Sequence, residues 1–342
     1  MLVAILLVAL GTIIAAAVAY ESAMSARRGS ATLAFDEALL VGQGGEALAG
    51  YGLQQVLRNT KSSTGGGMPD VYPAEPWGQP VGPIEVVPGV TLEASLEDMQ
   101  GRFNLNWLVD STAQSGSAVN QNPVSGSTTG TGAGQNTPGV NPTAETIAAF
   151  NRLLEALAID TKYTDMIIDW IDSNQNPQPQ GMEDSGYLGQ NPPYLAANQY
   201  ITSTTELLAI PGFTRDMYTK LAPYISALPV DQSTAKLNIC SASGLVLDAM
   251  RGANREFGQD EQAFEKNRAA APGCFPTQQE YLAGADPNTK SWVQGRIGTT
   301  SQYFRLTSLI TIGTTEFNLY SLLYVDNQGY FAHPIQRSFT PD

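Results

Sequence analysis

From Met1 to Tyr20 no residue is charged: MLVAILLVALGTIIAAAVAY. As an α-helix, at about 1.5 Å per residue, this run is about 30 Å long, the thickness of a bilayer's hydrocarbon core. A secretory signal peptide would open with Lys or Arg and end in a small-x-small cleavage site and a turn. This segment opens Met-Leu-Val and runs on without a break. Leu33, Leu40, Leu48, Leu53 and Val56 keep a loose helical spacing, and no Pro occurs before Pro69. The reading is one long helix of about 55 residues, apolar over 1–20 and amphipathic over 21–60. Its glycines between 42 and 52 are expected to make the lower part bendable. Arg27 and Arg28 follow the apolar run, which by the positive-inside rule alone would leave the C-terminal bulk in the cytoplasm. The expectation is instead that a basic leader has been removed ahead of Met1, restoring the opposite orientation.

Composition narrows the function classes. Eighteen Lys and Arg stand against 32 Asp and Glu, a net charge of −14. Without a basic cluster the chain lacks the counterion-release affinity that drives nucleic-acid binding. The one His, His333, would have to serve any Ser-His-Asp site, and with two Cys an all-protein His/Cys zinc site is one ligand short. No catalytic residues are expected. Cys240 and Cys274, alone in the chain, fit one disulfide in an oxidising compartment; two unrelated buried thiols are the alternative.

Beyond the first helix the texture changes several times. Ile84 to Val109 alternates apolar and polar residues around a Pro88-Gly89 turn, as a two-strand unit does. Between Ser111 and Pro142, 26 of 32 residues are Ser, Thr, Gly, Asn, Gln or Pro and none is charged, so this stretch buries too little to order itself. Helices follow: one capped by Thr143 with Ile147, Phe150, Leu154 and Leu157 on a face, and one with Met166, Ile167, Trp170 and Ile171 on its apolar side. Ser203-Thr-Thr-Glu206 is a capping box. From Tyr303 three strands return, the last two joined by an Asp326–Gly329 turn. The fold class is therefore α+β: a long N-terminal helix, a small antiparallel sheet built from 61–110 and 295–342, a linker over 111–142, and an all-α domain inserted over 143–294.

One segment has metal-site spacing. Asp172, Asn174 and Asn176 alternate and Glu183 stands twelfth, matching the oxygen ligands of an EF-hand loop. Position six is Pro177 where that loop wants Gly, so the EF-hand turn itself cannot form. Asp169, Gln178 and Asp184 complete the candidate ligand set for calcium, with a solvated acidic loop as the alternative. Ile210-Pro-Gly-Phe213 resembles a helix-hairpin-helix turn but lacks basic flanks, and His333 reads as a surface residue on an edge strand.

Taken in order, these residues resemble the GspK-type minor pseudopilins of the bacterial type II secretion system. The likeness is carried by the apolar start Met1–Ala19, Gly101-Arg-Phe-Asn-Leu-Asn106, Asp169-Trp-Ile-Asp172 with Gly181-x-Glu183-Asp184-x-x-Tyr187, Ser203-x-x-Glu206-Leu207, Leu237-Asn238-Ile-Cys240-Ser-Ala242 and Ser301-x-Tyr-Phe304. Most pilin-like subunits carry Glu at the fifth mature residue; with Met1 as the first, Ile5 stands there, as is typical of this family. Cys240 departs from the family's usual Asn, which points to a disulfide peculiar to this branch. The resemblance implies a pilin-like fold, calcium in the helical domain, and a non-catalytic subunit that caps and helps initiate the periplasmic pseudopilus. It implies I- and J-type minor pseudopilins as partners, and through them the major pseudopilin. It also implies processing by a prepilin peptidase and a single pass through the inner membrane with the bulk in the periplasm. Exported substrates and the outer-membrane channel are further candidate contacts. A type IV pilus minor pilin, or a membrane-tethered periplasmic metal-dependent hydrolase or binding protein, are the alternatives.

Overall fold

A computed structural model describes residues 1–64, 68–109, 142–229, 235–252, 255–326 and 331–340. The 111–142 linker, the Thr143 cap and the Asn327–Gly329 part of the expected turn lie outside the described residues or side chains. Helix α1 runs uninterrupted from Leu2 to Thr64. Gly42, Gly45 and Gly50 lie against the sheet, whereas Gly44 and Gly52 face open space. A Cβ on Gly42 would stand 2.6 Å from the end of the Leu319 side chain, which would have to move aside.

That sheet is antiparallel and five-stranded. The chain enters through β1 (Val81–Val87) and β2 (Val90–Asp98), passes the short strands β3 (Phe103–Asn104), β4 (Ile225–Ser226), β5 (Leu237–Asn238) and β6 (Ile297–Gly298), then returns in β7 (Tyr303–Ile312), β8 (Thr315–Val325) and β9 (Ala332–Ser338). Spatial order is β1-β2-β7-β8-β9. Alternate residues Leu306, Ile310, Leu319 and Leu323 are buried beneath α1, as the two-residue strand period requires. A buried carboxylate also ties α1 to the sheet: Arg337 of β9 donates to both oxygens of Glu46 at 2.7 Å, and the Ser321 hydroxyl donates at 2.6 Å.

Everything between Asp98 and Tyr303 leaves the sheet at one end, because Asp98 pairs with Phe304 at that end. The helices are α2 (Pro142–Ala156), α3 (Lys162–Ile171), α4 (Asp184–Tyr187), α5 (Arg215–Leu221), α6 (Gly244–Arg251), α7 (Glu261–Ala270), α8 (Gln278–Ala283) and α9 (Lys290–Arg296). They share one core centred on α2 against α6. Phe103, Leu105 and Leu108, which the alternating pattern groups with the sheet, pack in this helical core. The block is stitched rather than purely helical, since β3 pairs with β4 and β5 with β6, both parallel.

A buried polar knot fixes the block to the sheet. The Asn238 side-chain amide donates to Asp98 Oδ2 and to the Val71 carbonyl, both at 2.8 Å, while Ser301 donates to the same Asp98 oxygen at 2.6 Å. The end of β2, the segment after α1, β5 and the approach to β7 thus meet at one point. Burial pushes the Asp98 carboxyl above its ordinary value, against the pull of the hydroxyl and amide donors.

Candidate metal centre

Asp165, Asp169 and Asp172 stand at i, i+4 and i+7 along one face, Asp165 in the first turn of helix α3, Asp169 in its last turn and Asp172 as its C-cap. The three carboxylates repel one another, and Asp169 and Asp172 also oppose the negative end of the helix dipole. Such an arrangement persists where something else compensates. The Pro- and Asn-rich loop that follows cannot continue the helix, and it folds back over the acids. The Gln178 N–H donates to both Asp169 oxygens at 3.1 Å, and the Gln180 N–H to Asp165 Oδ2 at 3.1 Å. At Gly181 the backbone lies so close that any Cβ would overlap the Asp169 carboxylate. Glu183 then opens α4.

Asp169, Asp172 and Glu183 are buried at 0%, 7% and 5% exposure. Both oxygens of Glu183 are buried without a hydrogen-bond donor, as is the Tyr187 hydroxyl one turn later. Burial raises the Glu183 carboxyl to about 7, with Asp169, Asp172 and Asp184 adding repulsion. Burial likewise raises Asp169 to about 6, opposed by the Gln178 N–H and reinforced by Asp172 and Asp165. Asp172 is raised by burial too, opposed by hydrogen bonds from Asn174. These acids face one another, and each lacks the counter-charge that would keep it ionised.

The other sequence-derived ligands fall elsewhere. Asn174 and Asn176 lie on the exposed loop, and Asn174 Oδ1 accepts the Asn176 N–H at 2.7 Å. Gln178 contributes its backbone rather than its side chain. Asp184 Oδ1 accepts from the Ala196 N–H at 3.1 Å and from Asn198 at 3.4 Å. Among the described residues no three acids, His or Cys converge tightly enough to enclose an ion. What the structure does bring near one another is the buried Asp169, Asp172 and Glu183, whose charges repel, with both Glu183 oxygens lacking a hydrogen-bond partner. Those donors suit calcium by chemistry, since it takes carboxylate and carbonyl oxygens in flexible geometry. Gly181 and Tyr187, outside the expected ligand set, pack against these acids; the Gly181-x-Glu183-Asp184-x-x-Tyr187 pattern was their signal in the sequence.

Cys240 and Cys274 are disulfide-bonded, with Cα atoms 4.7 Å apart. Cys240 is buried beside the polar knot, where its N–H donates to Asn238 Oδ1 at 3.0 Å. The bond ties the α7–α8 connection to that knot. Met1, just before α1, and Ile5, in its first turn, are both exposed. His333 is an exposed residue of β9 whose ring meets Tyr324 edge-on at 5.7 Å.

Comparison with known proteins settles the family. The family model of type II secretion system (T2SS) protein K matches residues 101–230. Type II secretion system protein K of Pectobacterium carotovorum subsp. carotovorum is 26% identical over 332 residues, covering 96% of this chain and 92% of that protein. Protein K of Pseudomonas aeruginosa is 32% identical over 251 residues, 72% of this chain and 65% of that one. The chain belongs to the type II secretion system protein K family. That is a family of structural pseudopilin components rather than enzymes, which sets aside the tethered hydrolase and the type IV pilin. The fold agrees with the crystal structure of the GspK-GspI-GspJ complex from the enterotoxigenic Escherichia coli type 2 secretion system. The TM-score is 0.64 at 22% identity, covering 92% of this chain and all of the solved one.

Proposed function

We propose that this chain is the tip subunit of a periplasmic pseudopilus, held in the inner membrane by α1 before assembly and built with I- and J-type minor pseudopilins. One observation carries the reading. Ala38 packs where Val90 and Ile310 lie, whereas Leu53 and Leu57 pack on Phe304, Leu306 and Val325. Helix α1 therefore climbs the sheet from its Val90–Ile312 end to its Asp98–Phe304 end, and the helical block sits at the latter. The bulk stands at the opposite end from the apolar span. In a filament whose subunits stack along such helices, a mass there obstructs any subunit above and none below. A chain of this shape fits once, at the end laid down first. The solved neighbour of the same fold was crystallised in a complex with GspI and GspJ, which supports partners of I and J type.

Calcium belongs to this reading. We propose that one ion is held by Asp169, Asp172 and Glu183, cancelling their repulsion and locking the 172–183 loop onto α3. Its role is structural. The assembly is tested by co-expressing the full chain with I- and J-type partners and measuring stoichiometry in detergent. One copy of each is expected; repeated copies of this chain per assembly would refute the tip position.

A further inference from the structure

Arg27 and Arg28 are the one adjacent basic pair in a chain of net charge −14. Both are exposed on α1, and among the described residues neither makes an ion pair. No acid stands three or four residues from either, the spacing at which a helix neutralises its own charges. The nearest in sequence are Glu21, six residues before Arg27, and Asp36, eight after Arg28. The sheet does not reach them either: the first buried residue of α1 is Ala38.

Their height along the helix selects what they meet. The uncharged run ends at Tyr20, whose 68% exposed ring is of the kind that settles at a membrane surface. Arg27 stands seven residues further on, about 10 Å along the axis at about 1.5 Å per residue. The headgroup layer over the hydrocarbon core is about 5–7 Å deep on each side. Helix Cβ atoms point back toward the N-terminus, so both side chains lean down toward the span, and the long Arg stem covers the rest. Two guanidinium groups therefore arrive at phosphate height, each a planar fork whose paired N–H donors match phosphate oxygens. With the bulk in the periplasm, the pair also lies on the side where basic residues oppose insertion. Residues that work against topology and neutralise nothing within the chain act on something outside it, and at that height the outside is the lipid headgroup.

We infer that Arg27 and Arg28 form a binding site for the phosphates of anionic phospholipids at the periplasmic face of the membrane. This rests on the membrane orientation proposed above and names the lipid class that holds α1 there. The test uses the full chain in detergent, given equal amounts of phosphatidylglycerol and phosphatidylcholine, with the lipids retained on it counted by native mass spectrometry. The wild type is expected to retain phosphatidylglycerol about tenfold over phosphatidylcholine, the order expected for two Arg beside anionic headgroups. Arg27→Gln with Arg28→Gln should retain both lipids equally at an unchanged melting temperature, since the pair lies outside the folded cores. Arg215→Gln, an exposed Arg of the helical block, should behave as the wild type. Excess inorganic phosphate separates the two sources of the same chemistry: retained phosphatidylglycerol supports a lipid site, and its displacement overturns that site in favour of free phosphate. Equal retention of both lipids by the wild type, or an unchanged preference in the double variant, also overturns it. Orientation is read separately by protease added to spheroplasts. A digested helical block with no lipid preference overturns the headgroup site and leaves the orientation standing. A protected block overturns the orientation and the periplasmic placement of the site with it.

Discussion

Glu183 brings two carboxylate oxygens into a buried site with no donor to meet them, and Asp169 and Asp172 aggravate its charge. A neutral amide there should separate the two roles of the residue. Glu183→Gln is expected to raise the calcium-free melting temperature at pH 8, because it removes a buried unpaired charge, and to abolish most of the upward shift that calcium gives the wild type. A wild-type shift of the order expected for specific binding is about 2.7 kcal/mol at a hundredfold excess of calcium over its dissociation constant. Magnesium should substitute poorly, since it demands a tight octahedral shell. The pH response has a definite sign. Folding raises Asp169 from 3.8 to about 6 and Glu183 from 4.5 to about 7, so the folded state binds protons more strongly. Their contribution is full below about pH 4 and is lost as pH rises through 6 and 7. Calcium-free protein should therefore lose stability across that window when followed by thermal melts, and saturating calcium should flatten the loss. A calcium-free melting temperature that rises between pH 5 and 8, with no effect of EDTA, would reduce the loop to a solvated acidic turn. Glu46 gives a second residue-scale test. Glu46→Ala removes a buried acceptor of three hydrogen bonds, two of them from Arg337. By the usual cost of charged hydrogen bonds it should lower stability by about 1.5–3 kcal/mol in urea melts.

At the scale of elements, the disulfide joins residues 34 apart in sequence and closes the α7–α8 connection onto β5. The chain-entropy model gives such a loop about 3–4 kcal/mol. Unreduced, denatured protein should show no reactive thiol, and Cys240→Ser with Cys274→Ser should lower the melting midpoint; two titratable thiols in the wild type would contradict the bond. Helix α1 was legible from the uncharged run and the missing prolines, because helix period and breakers are local signals. The strands from Tyr303 were legible for the same reason, their alternation showing one face to α1. A sequence does not say which glycines of α1 meet the rest of the chain, and Gly42 is one that faces Leu319. Phe103 to Leu108 continued an alternating pattern yet joined the helical core, because two-residue strands are fixed by their partners Ile225 and Ser226, over a hundred residues on. Of the residues with EF-hand spacing, Asp172 and Glu183 are buried, whereas Asn174 and Asn176 are exposed. The loop closes through backbone N–H groups on Asp169 and through Gly181, neither of which the ligand pattern encodes. The knot of Asp98, Asn238 and Ser301 had no local signal at all, its members being brought together only by the fold.

For the whole molecule, a long helix with an uncharged start leaves the sheet at one end, and a helical block closes the other. On the proposed reading, anchoring, stacking and obstruction fall at three places along one axis. The tip position is the claim on which this geometry bears most. Sheared pseudopili labelled with gold-conjugated antibody to the helical block give the direct measurement by electron microscopy. The account predicts one label per filament, always at the end distal to the membrane; labels spaced along the filament shaft would contradict it.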